Sequence, residues 1–179
     1  MEIYITDLEA YNNGYLIGSW YTLPMSQDEL AKAIEDVLCQ GAEACEDDEC
    51  HEEYFITDYE SPITIDEYDN IYKLNELSEI LENLNEQDIL KLQLLSHEGY
   101  DEREVLLTGI DTYEVDIYDY SEDTSFTDVY ELLAYDLVQE GCFGEIPQHL
   151  ENYIDYEAIG RDLSYDYTEF EPNILGRIA

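Results

Sequence analysis

The chain has 179 residues, of which 46 are Asp or Glu and 6 are Lys or Arg, for a net charge of −40. Charge of one sign at that density repels nucleic acids and anionic membranes and favours proteins with basic clefts. With 45% apolar and 13% aromatic residues the chain still has the means to bury a core, which excludes a disordered acidic tail.

Residues 2–7 (EIYITD) alternate apolar and polar and read as a strand. Asn12-Asn13-Gly14 supplies turn chemistry, and residues 15–23 read as a second strand ended by Pro24, which predicts a hairpin. Ser26 and Glu29 have capping-box spacing, and Leu30, Ile34, Val37 and Leu38 form the stripe of a helix that Gly41 would close. An acidic, cysteine-bearing loop over 42–53 and a strand over 53–60 follow. Residues 74–84 and 87–99 carry apolar side chains at helical spacing, with Asn85 as cap of the second, and 101–107 adds a helical turn. A strand at 112–120 puts Tyr113, Val115 and Ile117 on one face and Glu114, Asp116 and Tyr118 on the other. Residues 126–140 read as an amphipathic helix closed by Gly141, Pro147 as the first residue of a short helix, 155–163 as a helix and 165–170 as a strand. Strands and helices segregate without a βαβ rhythm, so the fold class is α+β. The expected organisation is three small subdomains: α+β over 1–69, all-helical over 70–108 and α+β over 109–179.

Acidic residues run from Glu2 to Glu171, and six cations are too few to pair them, so most carboxylates must point outward. B-DNA carries one charge per ~1.7 Å of axis, so the −40 net charge would match about 70 Å of duplex. A compact globule of 179 residues has a radius of gyration of only about 16 Å, so the match requires an elongated molecule. Carboxylates two apart on a strand, such as Glu114 and Asp116, lie about 6.7 Å apart. Those one helical turn apart lie about 5.4 Å apart along the axis, and Asp128, Glu131 and Asp136 are near such a row. The candidate phosphate-mimicking residues are Asp58, Glu60, Asp66, Glu67, Asp69, Asp111, Glu114, Asp116, Asp119, Glu122, Asp123, Asp128, Glu131 and Asp136. The 18 tyrosines, many beside acidic residues, offer a buried ring and a polar tip for packing small cores.

Three stretches carry a family resemblance: IYITDLEAYNNGYLIGSWYTLP at the start, ITDYESPITIDEYDNIYKLNEL over 56–77, and GEIPQHLENYIDYEAIGRDL over 144–163. Together they resemble the ArdA antirestriction family. The last resembles its antirestriction motif, through Pro147, Leu150, Tyr153, Asp155, Tyr156, Glu157, Arg161, Asp162 and Leu163. The resemblance implies a DNA mimic, carried on plasmids or conjugative transposons, that fills the DNA-binding cleft of type I restriction–modification enzymes, chiefly the methyltransferase core. It implies elongated homodimers of three-part subunits, with the motif at or near the dimer contact; Arg161, a cation within a mimic, is expected to pair with a nearby Asp rather than touch a basic cleft. No cofactor is implied.

Rival readings are weaker. Acidic pairs abound, but no nucleophile motif appears, and His51, His97 and His149 sit in unrelated contexts, so an enzyme is not expected. The acidic run 46–53 lacks the glycine of a calcium loop. Cys39, Cys45, Cys50 and His51 lack the paired spacing of a zinc site, so no metal is expected and the four cysteines read as reduced thiols. The opening MEIYITDLEA has no signal-peptide pattern, and no apolar run has spanning length, which together suggest a cytoplasmic protein. A salt-loving protein would share the charge without inhibiting DNA enzymes. Alternative targets are a nucleoid protein, a repressor or a repair enzyme; a further alternative is a non-inhibitory acidic protein that binds divalent cations.

Overall fold

The computed structural model describes residues 1–122 and 128–179. The chain divides into two compact units: Met1–Ile89 with Asp101–Gly109, and Leu90–Tyr100 with Ile110–Ala179.

In the first unit β1 (Glu2–Asp7) is the middle strand of an antiparallel sheet of order β2-β1-β3. The buried Asp7 ends β1 and caps α1 (Leu8–Asn12), its carboxylate accepting the Ala10 N–H at 2.6 Å. Asn13 and Gly14, the latter at φ 87°, turn the chain back into β2 (Gly18–Thr22). The expected hairpin therefore forms, but the second strand begins at Gly18 because a helical turn occupies the connection. Helix α2 (Gln27–Cys45) opens with the capping box, Ser26 Oγ accepting from Glu29 N and Glu29 Oε2 accepting from Ser26 N. Leu30, Ile34, Val37 and Leu38 bury against Ile3, Ile5 and Ile56 of the sheet. Each fully buried side chain of this size contributes about 1.5–3 kcal/mol.

Gly41 does not close that helix. The helix continues to Cys45 and ends at Glu46 in the left-handed region (φ 63°). Position 41 is buried, and a Cβ there would overlap the Asp7 carboxylate. The glycine permits close packing of helix on strand rather than a turn.

β3 (Tyr54–Glu60) pairs with the other side of β1, with a bulge opposite Tyr4/Ile5. α3 (Ile71–Leu81) begins on the Asn70 cap, earlier than its apolar spacing suggested. Buried Asn75 clasps the Met25 backbone, accepting its N–H at 2.9 Å and donating to its C=O at 3.0 Å. α4 (Glu86–His97) is capped by Asn85 as expected, with Asp88 returning the bond to Asn85 N. α5 (Glu102–Thr108) starts on Asp101, and its Arg103 reaches Asp69 with two nitrogens and the Thr64 carbonyl with one. α3, α5 and the start of α4 group with the first unit, and α4 from Leu90 onward with the second.

The second unit holds β4 (Val115–Asp119), α6 (Val129–Gln139) capped by Asp128, α7 (Tyr156–Leu163) capped by Asp155, β5 (Thr168–Glu171) and β6 (Ile174–Ile178). The sheet is antiparallel, of order β4-β6-β5. Tyr118, Tyr120, Leu175 and Tyr167 pack with Leu132, Leu133 and Leu137 of α6. On the opposite face Ile117 pairs with Gly176, and Leu94 occupies the space a side chain at 176 would need. Gly141, at φ 79°, follows α6 as expected. Pro147 does not open a helix. It accepts the Leu150 N–H in a turn, followed by a single 3-10 turn at Glu151–Tyr153, and the α-helix waits for the Asp155 cap.

Candidate functional site

The candidate carboxylates fall into three groups. Asp58, Glu60, Asp66 and Glu67 of the first unit, and Asp111, Glu114, Asp119, Glu122 and Asp128 of the second, are exposed. Asp58 and Glu60 project from one edge of the sheet on β3, where Glu60 pairs across to Glu2. Asp119 accepts the Ser121 N–H, and hydrogen bonding from the Ser121 side chain first and its backbone second draws the carboxyl below the ordinary range, so it stays charged. Asp69 and Asp116 are held instead by arginines, Arg103 and Arg177, and are the carboxylates with an arginine partner among the described residues. The Arg103 hydrogen bonds pull the Asp69 carboxyl down most. Glu131 and Asp136 are half-buried on α6. Five residues apart, they lie about 140° round the helix and do not form the single row expected. Asp123 lies outside the described residues.

Arg177 also sits 4.9 Å over the Tyr167 ring, beside Tyr118. Burial pushes the Tyr118 phenol up to about 12, so the ring adds no charge at neutral pH. The Tyr118 and Tyr167 rings serve the core, as tyrosine's amphipathic character suggested.

The later residues of 144–163 build α7 and its packing. Asp155 caps it by accepting the Ala158 N–H at 3.0 Å, Tyr156 packs its ring on Tyr135, and Leu163 joins the core. Glu157 and Asp162 are exposed, as are Pro147, Leu150 and Tyr153, the last 83% exposed. Arg161 is exposed and forms no salt bridge with another of the described residues. The motif residue that sequence reasoning missed is Gly160. A Cβ there would stand 2.7 Å from the Tyr130 carbonyl oxygen, so this glycine sets the approach of α7 to α6. A glycine inside an amphipathic helix was the available signal.

The loop after α2 departs furthest from expectation. Cys39 and Cys50 form a disulfide, with Cα atoms 4.3 Å apart, instead of remaining thiols. The cause is local: α2 overruns Gly41, and the chain then folds back so that His51 N donates to Leu38 O, setting Cys50 beside Cys39. The four-residue zinc set is thereby dismantled, while Cys45 keeps a free thiol. His51 is buried, with Nδ1 at 2.9 Å from both Asp7 oxygens and Nε2 at 3.0 Å from Asp47 Oδ2. The Asp47 bond, followed by the bond from Asp7, raises the imidazole pKa against the opposing effect of burial.

The sequence matches the ArdA antirestriction protein family over residues 3–173, nearly the whole chain. The chain belongs to that family. No curated protein matches it. The ArdA family is one of antirestriction proteins that mimic DNA. Among the described residues no helix is long and apolar enough to cross a membrane.

Proposed function

We propose that this ArdA protein occupies the DNA-binding cleft of a type I restriction–modification enzyme, chiefly its methyltransferase core, and so protects incoming DNA of a mobile element. The observation that carries the reading is the charge left unneutralised: a net −40, with exposed carboxylates on both units and arginine pairs at Asp69 and Asp116. A cleft built for phosphates meets carboxylates at the 5–7 Å spacings of strand and helix. In this reading the cytoplasmic subunit is elongated, in three parts over 1–69, 70–108 and 109–179, and works as a homodimer. The exposed Leu150 and Tyr153 support a contact with a second copy through the motif, because apolar side chains so exposed gain from being covered.

The test is displacement. A type I methyltransferase core is bound to a fluorescent duplex carrying its target site, and the protein is titrated in at two salt concentrations. The expected result is stoichiometric release of the duplex that weakens as salt rises, since the attraction is between screened charges. Failure to displace the duplex at low salt overturns the reading.

A further inference from the structure

We propose that Cys45, Asp47, His51 and Glu9 form a binding site for one zinc ion, with Asp7 as the buried carboxylate that orients the His51 ring. Donor atoms of Cys45, Asp47 and His51 all lie within 4.8 Å of one another. His51 Nε2 is 3.0 Å from Asp47 Oδ2 and 3.8 Å from Glu9 Oε2. Ligands around a tetrahedral zinc at bond lengths of 2.0–2.3 Å stand roughly 3.3–3.8 Å apart, so small side-chain shifts complete the site.

The second shell is already in place. Asp7, fully buried, takes the His51 Nδ1–H on its carboxylate and leaves Nε2 as the atom that faces Asp47 and Glu9. This is the carboxylate–histidine–metal arrangement that fixes the ring tautomer and raises the basicity of the ligating nitrogen. The backbone holds the donors from both sides. Cys45 is the last residue of α2, Asp47 N bonds back to Ala42 O, and the Cys39–Cys50 disulfide fixes the segment that ends in His51.

The donor set selects the metal. One thiolate, one imidazole and two carboxylates suit zinc, whereas calcium takes six to eight oxygens and magnesium an octahedron of oxygens. Asp48, Glu49, Glu52 and Glu53 line the same open depression and draw cations toward it. Loading releases the Cys45 thiol proton, and the imidazole proton where His51 carries one, so binding weakens as pH falls. The ion would tie the loop after α2 to the junction of β1 and α1, a structural role separate from the display of carboxylates.

The experiment uses the full chain, with its disulfide intact, titrated with Co2+ as the spectroscopic stand-in for zinc. So many carboxylates bind divalent ions loosely, so the readout is the thiolate-to-cobalt charge-transfer band, which oxygen ligands do not give. One equivalent should saturate that band together with tetrahedral d–d absorption, and zinc should bleach both. Cys142→Ser should leave the spectrum unchanged and Cys45→Ser should abolish the charge-transfer band. Asp47→Asn, which retains the size of the side chain, should keep the band and weaken binding at least about tenfold. Circular dichroism checks that each variant is folded. Absence of the band in the wild-type protein, or a band that survives Cys45→Ser, overturns the proposal.

Discussion

Gly41 rests on the carboxylate of Asp7, and a Cβ at position 41 would also stand 2.9 Å from the Asp7 Cβ. Inside a helix, Gly→Ala ordinarily gains about 1 kcal/mol. Here the methyl displaces either α2 from β1 or Asp7 from its bonds to Ala10 and His51. Gly41→Ala should therefore destabilise the protein by about 1–3 kcal/mol, the usual cost of overpacking. Urea unfolding measures it, and a stabilised variant would show that the contact relaxes freely.

Asn75 is buried with both polar atoms on the Met25 backbone, linking α3 to the segment between β2 and α2. Asn75→Ala leaves that N–H and C=O without partners inside the unit. The expected loss is about 2–4 kcal/mol, from two hydrogen bonds and the desolvated groups left behind. Hydrogen exchange at the Met25 amide should quicken in step with the drop in denaturant midpoint.

Periodicity and caps made much of this fold legible in the sequence. Ser26 with Glu29, Asn85, and the alternation in Glu2–Asp7 act through neighbours within four residues, and each does in the structure what its local chemistry dictates. Glycine was ambiguous because its two uses look alike in one dimension. Gly141 has the positive φ of a helix stop, whereas Gly41 and Gly160 are interior residues where another element comes close. The strand Ile174–Ile178 escaped notice because Gly176 breaks its alternation, and Gly176 is there for Leu94, some eighty residues away. The Asp7–His51 contact and the Cys39–Cys50 bond likewise depend on where α2 ends, which its sequence does not mark with a glycine.

His51 gives the first unit a pH dependence of definite sign. Asp47, Asp7 and Glu9 face the imidazole, and the Asp47 and Asp7 hydrogen bonds raise its pKa above the ordinary 6.5. A group whose folded pKa is raised stabilises the fold fully below its unfolded pKa, and loses that contribution as pH climbs through the folded value. Metal-free protein should thus become less stable as pH rises above about 6.5. His51→Gln should flatten that slope. NMR titration of the His51 ring protons reads the pKa directly, and a value below that of a free histidine would reverse the prediction.

The exposed ring of Tyr153, with Leu150 beside it in the chain, separates dimer formation from folding. Tyr153 is 83% exposed and contributes little to the core of its own unit, so Tyr153→Glu should leave the unfolding midpoint within about 0.5 kcal/mol of wild type. If the motif meets a second copy, the same change should shift sedimentation from dimer to monomer. Gly160→Ala is the contrasting variant. It presses on the Tyr130 carbonyl and should lower stability first.

Charge display predicts weak single effects and strong collective ones. An exposed ion pair contributes about 0–1 kcal/mol, so Asp58→Asn alone should change displacement of DNA by at most about fivefold. Neutralising Asp58, Glu60, Asp66 and Glu67 together, all exposed on the first unit, should cost about 2 kcal/mol or more, at least thirtyfold, and should flatten the salt dependence. Asp69→Asn belongs to a different class. Its carboxylate is spent on Arg103, so the change should lower stability while leaving the salt slope of inhibition intact. Competition assays at several ionic strengths, beside denaturation curves, distinguish the two. Loss of inhibition from one exposed Asp→Asn in a fully folded protein would mean that a single contact, not the distributed field, holds the restriction enzyme.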